Sequence, residues 1–142
     1  MVIKLKRLHK NAKIPTYATD GSACLDLYCT KDISFALGEV KFIDSGWIFE
    51  IPYDYYVTIH PRSGLACKQQ LILLNSTAII DSDYRGPIKT YFKNIGNNTI
   101  LLKKGDRYAQ MALHQRIYTQ FEEVDTLTNT VRSSGGFGST GR

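Results

Sequence analysis

The sequence predicts an all-β fold, a sandwich or barrel of short strands with at most one short helix. Three observations lead there: apolar and polar residues alternate with period two in several windows, turn-forming residues interrupt those windows at close spacing, and no window sustains helical periodicity. A chain of 142 residues with 43% hydrophobic content holds one domain and can bury a proper core.

Near the start, Ile3 and Leu5 alternate with Lys4 and Lys6. Tyr55, Val57 and Ile59 share one face of a strand whose other face carries Tyr56, Thr58 and His60. Ile88, Thr90 and Phe92 alternate likewise with Lys89, Tyr91 and Lys93. Turn signals fall at residues 37–39, 44–46, 51–53, 94–98 and 104–106, each built on Gly, Pro, Asn or Asp. Leu65 to Gln70 has room for a short helix. No repeat and no linker precede residue 132, so residues 1–131 read as one β domain and residues 132–142 as a mobile, detachable arm.

Composition narrows the function classes. Cys24, Cys29 and Cys67 are odd in number and show no metal-type or CxxC spacing, which reads as reduced thiols. No apolar run reaches membrane-spanning length, and no signal-peptide core follows Lys4, Lys6, Arg7 and Lys10. The expectation is a cytoplasmic protein with no membrane partner. The net charge of +5 is scattered and accompanies no nucleic-acid motif, so a solvated basic surface or small polyanions are expected rather than specific nucleic-acid binding.

Five turn-like clusters interrupt the strand pattern. Residues 21–27 set Asp26 among apolar neighbours, where a lone acid is as a rule structural. Residues 60–66 bracket Arg62 and Ser63 between Pro61 and Gly64; the backbone N–H groups of such a turn, with the Ser63 hydroxyl, attract phosphate, and equally make an ordinary cap. Residues 74–86 lead apolar side chains into an acidic turn holding Asp81, Asp83 and Tyr84. Of the two carboxylates in that turn, one is taken to face a site and activate water. A hairpin here offers Asn75 and backbone amides to a base. Residues 105–111 form a turn feeding a strand and say little alone. Residues 132–141 are rich in Gly and Ser and have too little apolar surface to fold by themselves. They nevertheless carry Arg132, Phe137, Ser139 and Thr140, suited to close over a ligand with both a flat ring and phosphates; a disordered tail is the alternative.

Taken in order, these clusters resemble the five motifs of the trimeric dUTP diphosphatase (dUTPase) family. The likeness spans Ala23 to Gly141 and rests on the blocks Pro61–Ala66, Ile80–Gly86, Gly105–Arg107 and Gly135–Gly141. It implies a jelly-roll-like β fold, a homotrimer with active sites shared between subunits, and an arm that covers a site formed by other chains. It also implies hydrolysis of dUTP to dUMP and diphosphate, with Mg²⁺ held mainly by the triphosphate and water. By the same resemblance Asp81 is the general base for water attack on the α-phosphorus, and Arg132 is the arm's catalytic arginine. Asn75 and the backbone at Ala78 read uracil, Tyr84 packs against the deoxyribose, and Phe137 stacks on the base. Arg62, Ser63, Gly64, Gln110, Ser139 and Thr140 contact phosphates. No side chain is implied as a direct metal ligand; Asp26 supports the metal's water shell and a nearby arginine.

Cys24, Ala78 and Ser133 stand where that family usually has glycine. Ala78 keeps its backbone groups available only if the local φ is negative, and Ser133 stiffens the arm. The nearest enzymatic rival, dCTP deaminase, needs a glutamate on the strand after the acidic turn, and residues 88–93 contain no acid. A dUTPase-fold regulatory or binding protein is a further alternative, against which the retention of Asp81 and the whole arm speaks.

Overall fold

The computed structural model describes residues 1–137 and residue 139. Its elements, in order, are β1 Lys4–Arg7, β2 Thr16–Tyr17, β3 Leu25–Tyr28, β4 Ile33–Phe35, β5 Val40–Asp44, β6 Trp47–Glu50, β7 Tyr55–Pro61, α1 Ser63–Gln69, β8 Leu71–Leu73, β9 Ala78–Ile80, β10 Lys89–Asn94, β11 Ile100–Leu102 and β12 Arg107–Gln115. All five turn signals fall between strands, and Gly38, Gly46 and Gly105 take the positive φ those turns require.

The strands pair antiparallel in four groups: β1–β6, β5–β10–β8, β11–β4 and the five-stranded order β2–β3–β12–β7–β9. Their inner faces enclose one core. Val57 and Ile59 of β7, Phe92 of β10 and Phe49 of β6 are buried, as are Phe35, Leu27, Leu71, Ile88 and Tyr108. In β10 the alternation is as the sequence predicts, with Thr90 and Phe92 buried and Lys89 and Tyr91 exposed. Phe92 meets Tyr108 edge to face at 5.9 Å between centroids, a favoured aromatic geometry. Buried Asn94 donates from Nδ2 to the carbonyls of Phe35 and Asn98, so its burial leaves no donor stranded. Gly46 marks a close approach: a Cβ there would lie 2.7 Å from Ala12 Cβ and 2.9 Å from Thr30 Cγ2.

Three local expectations change. The short helix begins at Ser63, not Leu65, because first-turn N–H groups need no intrahelical partner and so admit Ser63 and Gly64 behind the extended Arg62. The strand after the acidic turn begins at Lys89, one residue later than the alternation from Ile88 predicts, and it follows Pro87, which has no N–H for a ladder. The segment read as a hairpin is a crossing between sheets: β8 pairs with β10, whereas β9 pairs with β7.

Burial, reinforced by Asp106 and Asp32, pushes the Cys29 thiol up from 9.0 to about 12, and burial likewise raises the Tyr108 phenol. Groups raised on folding stabilise fully below their unfolded values, and that contribution is lost as pH climbs through the folded ones. The thermal midpoint of the wild type is therefore expected to fall between pH 9 and pH 12. Cys29→Ala should start lower, for want of packing, and decline with a shallower slope in that window; an unchanged slope would remove the thiol from this account.

Candidate active site

The five-stranded sheet positions the first group of side chains. Asp26 of β3 faces Gln110 of β12 in register, and its carboxylate is 2% exposed. Arg107 Nη1 donates to Asp26 Oδ2 at 3.1 Å. Arg62 Nε approaches Oδ1 at 3.2 Å, a close ion pair without hydrogen-bond alignment, so Oδ1 and Nε each retain unused hydrogen-bonding capacity. Arg62 Nη1 also donates to the Arg107 carbonyl at 3.2 Å. The acid thus orients two guanidinium groups beside the exposed Ser63–Gly64 turn. Arg62 is the helix N-cap, and no side chain caps that end. The arrangement presents positive charge and free N–H groups suited to a polyanion.

The crossing segment supplies a second group. Asn75, Ala78, Asp81 and Tyr84 line one cavity of about 250 Å³, completed by Ile79, Ile80, Pro87 and Lys89. Ala78 lies in β9 with ordinary negative φ, which meets the condition set for this replacement of glycine. Asp81 follows β9 directly and opens a turn closed by Tyr84 N–H donating to the Asp81 carbonyl at 3.2 Å. The turn separates its two acids. Asp81 borders both this cavity and a neighbouring one lined by Tyr53, Tyr55, Tyr56 and Arg116, whereas Asp83 borders only the latter. Tyr84 folds back over Gly86 and donates to the Pro87 carbonyl at 3.2 Å. A Cβ at Gly86 would overlap the phenol ring, so glycine is what allows that pose.

At about 250 Å³ the cavity is smaller than the several hundred Å³ typical of drug-sized ligand sites, and it fits a ring rather than a whole nucleotide. Arg62, Ser63 and Gln110 do not line it. One chain therefore brings the base-type residues together and, separately, the anion-type residues. In the arm, Phe137 is fully exposed at φ 49°, Ser139 is exposed, and Arg132 Nε donates to the Gly135 carbonyl at 2.9 Å instead of reaching either group. Ser133 sits at φ 44°, where the glycine it replaces would be unstrained. Thr140 lies outside the described residues. An open groove of about 860 Å³ between Thr30, Phe42 and Tyr91 touches none of the predicted site residues.

The dUTPase family model matches residues 10–141. The Deoxyuridine 5'-triphosphate nucleotidohydrolase of Nautilia profundicola is 43% identical over 142 residues, 100% of both chains. The chain belongs to the dUTPase family. The like-named protein of Helicobacter pylori is 38% identical over 141 residues, 99% of this chain and 97% of that one. Among solved structures, a dUTPase variant of Staphylococcus bacteriophage 80alpha with dUpNHpp superposes with a TM-score of 0.91 at 21% identity, covering 99% of each chain. A variant of the dUTPase of Staphylococcus aureus phage phi11, described with a structural Mg(II) ion, gives 0.83 at 19% identity, covering 91% of this chain and 100% of that one. At those identities the likeness establishes the shared jelly-roll fold.

Two residues beside these groups are not singled out by the sequence. Strict alternation puts Arg107 on the face opposite Gln110, but a bulge between Arg107 and Ala109 shifts the register and turns Arg107 toward Asp26. Lys89, read only as an exposed strand residue, borders the small cavity. Among the described residues no group of three or more His, Cys, Asp or Glu side chains converges as a metal cage, and no helix is long and apolar enough to cross a membrane.

Removing the Asp26 charge leaves two guanidinium groups without their shared partner. Asp26→Asn is expected to cost about 1–2 kcal/mol, held below the value for a fully buried pair because both arginines can turn to water. The midpoint of urea unfolding measures this, and an unmoved midpoint would contradict it.

Proposed function

We propose that this chain hydrolyses dUTP to dUMP and diphosphate, as the names of its full-length relatives indicate for those proteins. The observation that carries the reading is the convergence of Asn75, Ala78, Asp81 and Tyr84 on one ring-sized cavity. Uracil enters that cavity, read by Asn75 and the backbone at Ala78, with Tyr84 against the deoxyribose. Asp81, at the cavity's edge, takes a proton from water as the water oxygen bonds to the α-phosphorus. The bond from that phosphorus to the bridging oxygen breaks, and diphosphate departs. Arg62, Ser63, the Gly64 amide and Gln110 hold the phosphates, and Ser63 donates to the departing oxygen.

The ring-type and phosphate-type groups occupy separate places in one chain, which supports a site assembled from several copies. Segment 116–131 forms no strand here and carries exposed Ile117, Phe121, Leu127 and Val131, apolar surface that calls for cover from another subunit. A homotrimer supplies it, with each arm a mobile segment that brings Phe137 onto the base and Arg132, Ser139 and Thr140 onto the phosphates of a neighbouring site.

The residues fit magnesium in the way that ion prefers, through water and substrate oxygens rather than a protein cage. Asp26 Oδ1, which has no hydrogen-bond partner, offers an acceptor to its water shell. Bound with the triphosphate, Mg²⁺ supplies neutralisation of the phosphate charge.

Diphosphate release from dUTP, dTTP, dCTP and UTP tests the reading: dUTP should dominate, and preferential turnover of any other nucleotide would overturn it. Ammonia release from dCTP would favour a deaminase. Asp81→Asn should lose about 10²–10⁴ in turnover while calorimetry still detects binding of a non-hydrolysable dUTP analogue. Arg132→Ala should slow turnover by up to about 10³ with the sedimentation coefficient unchanged. A dissociated assembly in that variant would make Arg132 structural.

A further inference from the structure

The five-stranded sheet carries polar side chains that this reaction does not use. Opposed residues of an antiparallel pair share a face. In register, Asp26 stands opposite Gln110, and Gln110 opposite His60 of β7, so the three project to one side. Two residues back along β7, Thr58 shares that face. His60 Nε2 lies 2.8 Å from Thr58 Oγ1, and His114 Nε2 lies 2.8 Å from the same oxygen. The other His60 nitrogen, Nδ1, faces Thr77 Oγ1 at 3.5 Å.

One hydroxyl has one proton, so Thr58 donates to one imidazole and accepts from the other. With Nε2–H of His60 donating to Thr58, and Thr58 donating to His114, Nδ1 of His60 remains an acceptor aimed at the Thr77 hydroxyl. His114 is steadied by stacking on Tyr56, 5.1 Å between centroids. The network couples the tautomer of His60 to the direction of the Thr58 hydroxyl and to the tautomer of His114.

The backbone explains why this side chain matters. The ladder between β7 and β9 runs through Val57–Ile80, Thr58–Ile79 and Ile59–Ala78, and stops there. The next pair is His60 with Thr77, joined by side chains alone. Thr77 is flanked in the chain by the segment that carries Asn75 and Ala78 to the small cavity, and His60 precedes the Arg62–Ser63 turn by two residues.

We propose that His60 is a positioning residue: it extends the β7–β9 connection one residue past the ladder and holds the base-reading segment at a set distance from the phosphate turn. The proposal rests on the dUTP reading above. Its 3.5 Å contact shortens when a base engages Asn75 and Ala78, as catalytic-site hydrogen bonds often do on binding.

Steady-state diphosphate release from dUTP by the full chain tests it. His60→Ala and Thr77→Val should each raise KM by about three- to ten-fold with kcat little changed. The double variant should be no worse than either single one, as expected for partners in one contact. His60→Asn places an acceptor where Nδ1 stood and should restore most of the KM, whereas His60→Gln reaches toward Thr58 and should not. Additive losses, a fall in kcat at unchanged KM, or rescue by Gln in place of Asn would overturn the proposal. If His60→Ala does not fold, Thr77→Val carries the same KM prediction and His60→Asn the same rescue. A wild type without dUTP turnover overturns the parent reading and this one together; an active wild type with unmoved KM in Thr77→Val overturns this one alone.

Discussion

The Asp26 carboxylate, taken out of water and shared by Arg62 and Arg107, is the constraint on which the arginine-bearing half of the molecule depends. A buried acid is costly unless its charge is met, and here two cations from distant parts of the chain meet it. That requirement draws the turn after β7 and the start of β12 to the same place over β3. The two guanidinium groups approach each other across a common acid, which offsets their mutual repulsion and leaves N–H groups over for a ligand. Stability and chemistry are coupled at this point, since the charge that holds the arginines also aims them.

The other half depends on where a ladder stops. β9 is three residues long and pairs with β7 from Ile80 back to Ala78, where the ladder stops, so Asp81 and Tyr84 leave the sheet at one end, and Asn75 approaches it at the other. Such a short strand exposes both its neighbours to the same cavity while keeping Ile80 and Ala78 anchored in the core. Each half is built on rigid strands, and the residues with the greatest freedom lie in turns at their ends.

Much of this is legible in the residues. The alternation around Val57–Ile59 and Thr90–Phe92 selects the core faces, and the turn signals locate five loops, because both follow from local backbone geometry. The motif clusters that resemble the dUTPase family point to candidate site residues, of which Asn75, Ala78, Asp81 and Tyr84 share one cavity. What local patterns do not reveal is pairing. The segment from Leu74 to Gly86 has the residues of a hairpin, yet its flanking strands join different sheets, a choice made by long-range packing. Arg107 is misdirected by strict alternation because a single bulge reverses the side to which it points.

By itself the sequence determined an all-β domain, its core-facing residues, the family and the chemical groups available for a uracil nucleotide, since these depend on residue type and near-neighbour spacing. Only the tertiary structure decided that Asp26 serves two arginines, that Asp81 rather than Asp83 borders the small cavity, and that His60 reaches Thr77. Each of those depends on strand register and on where a ladder ends. Register is set by the fit of whole faces against one core, which no local stretch of residues contains.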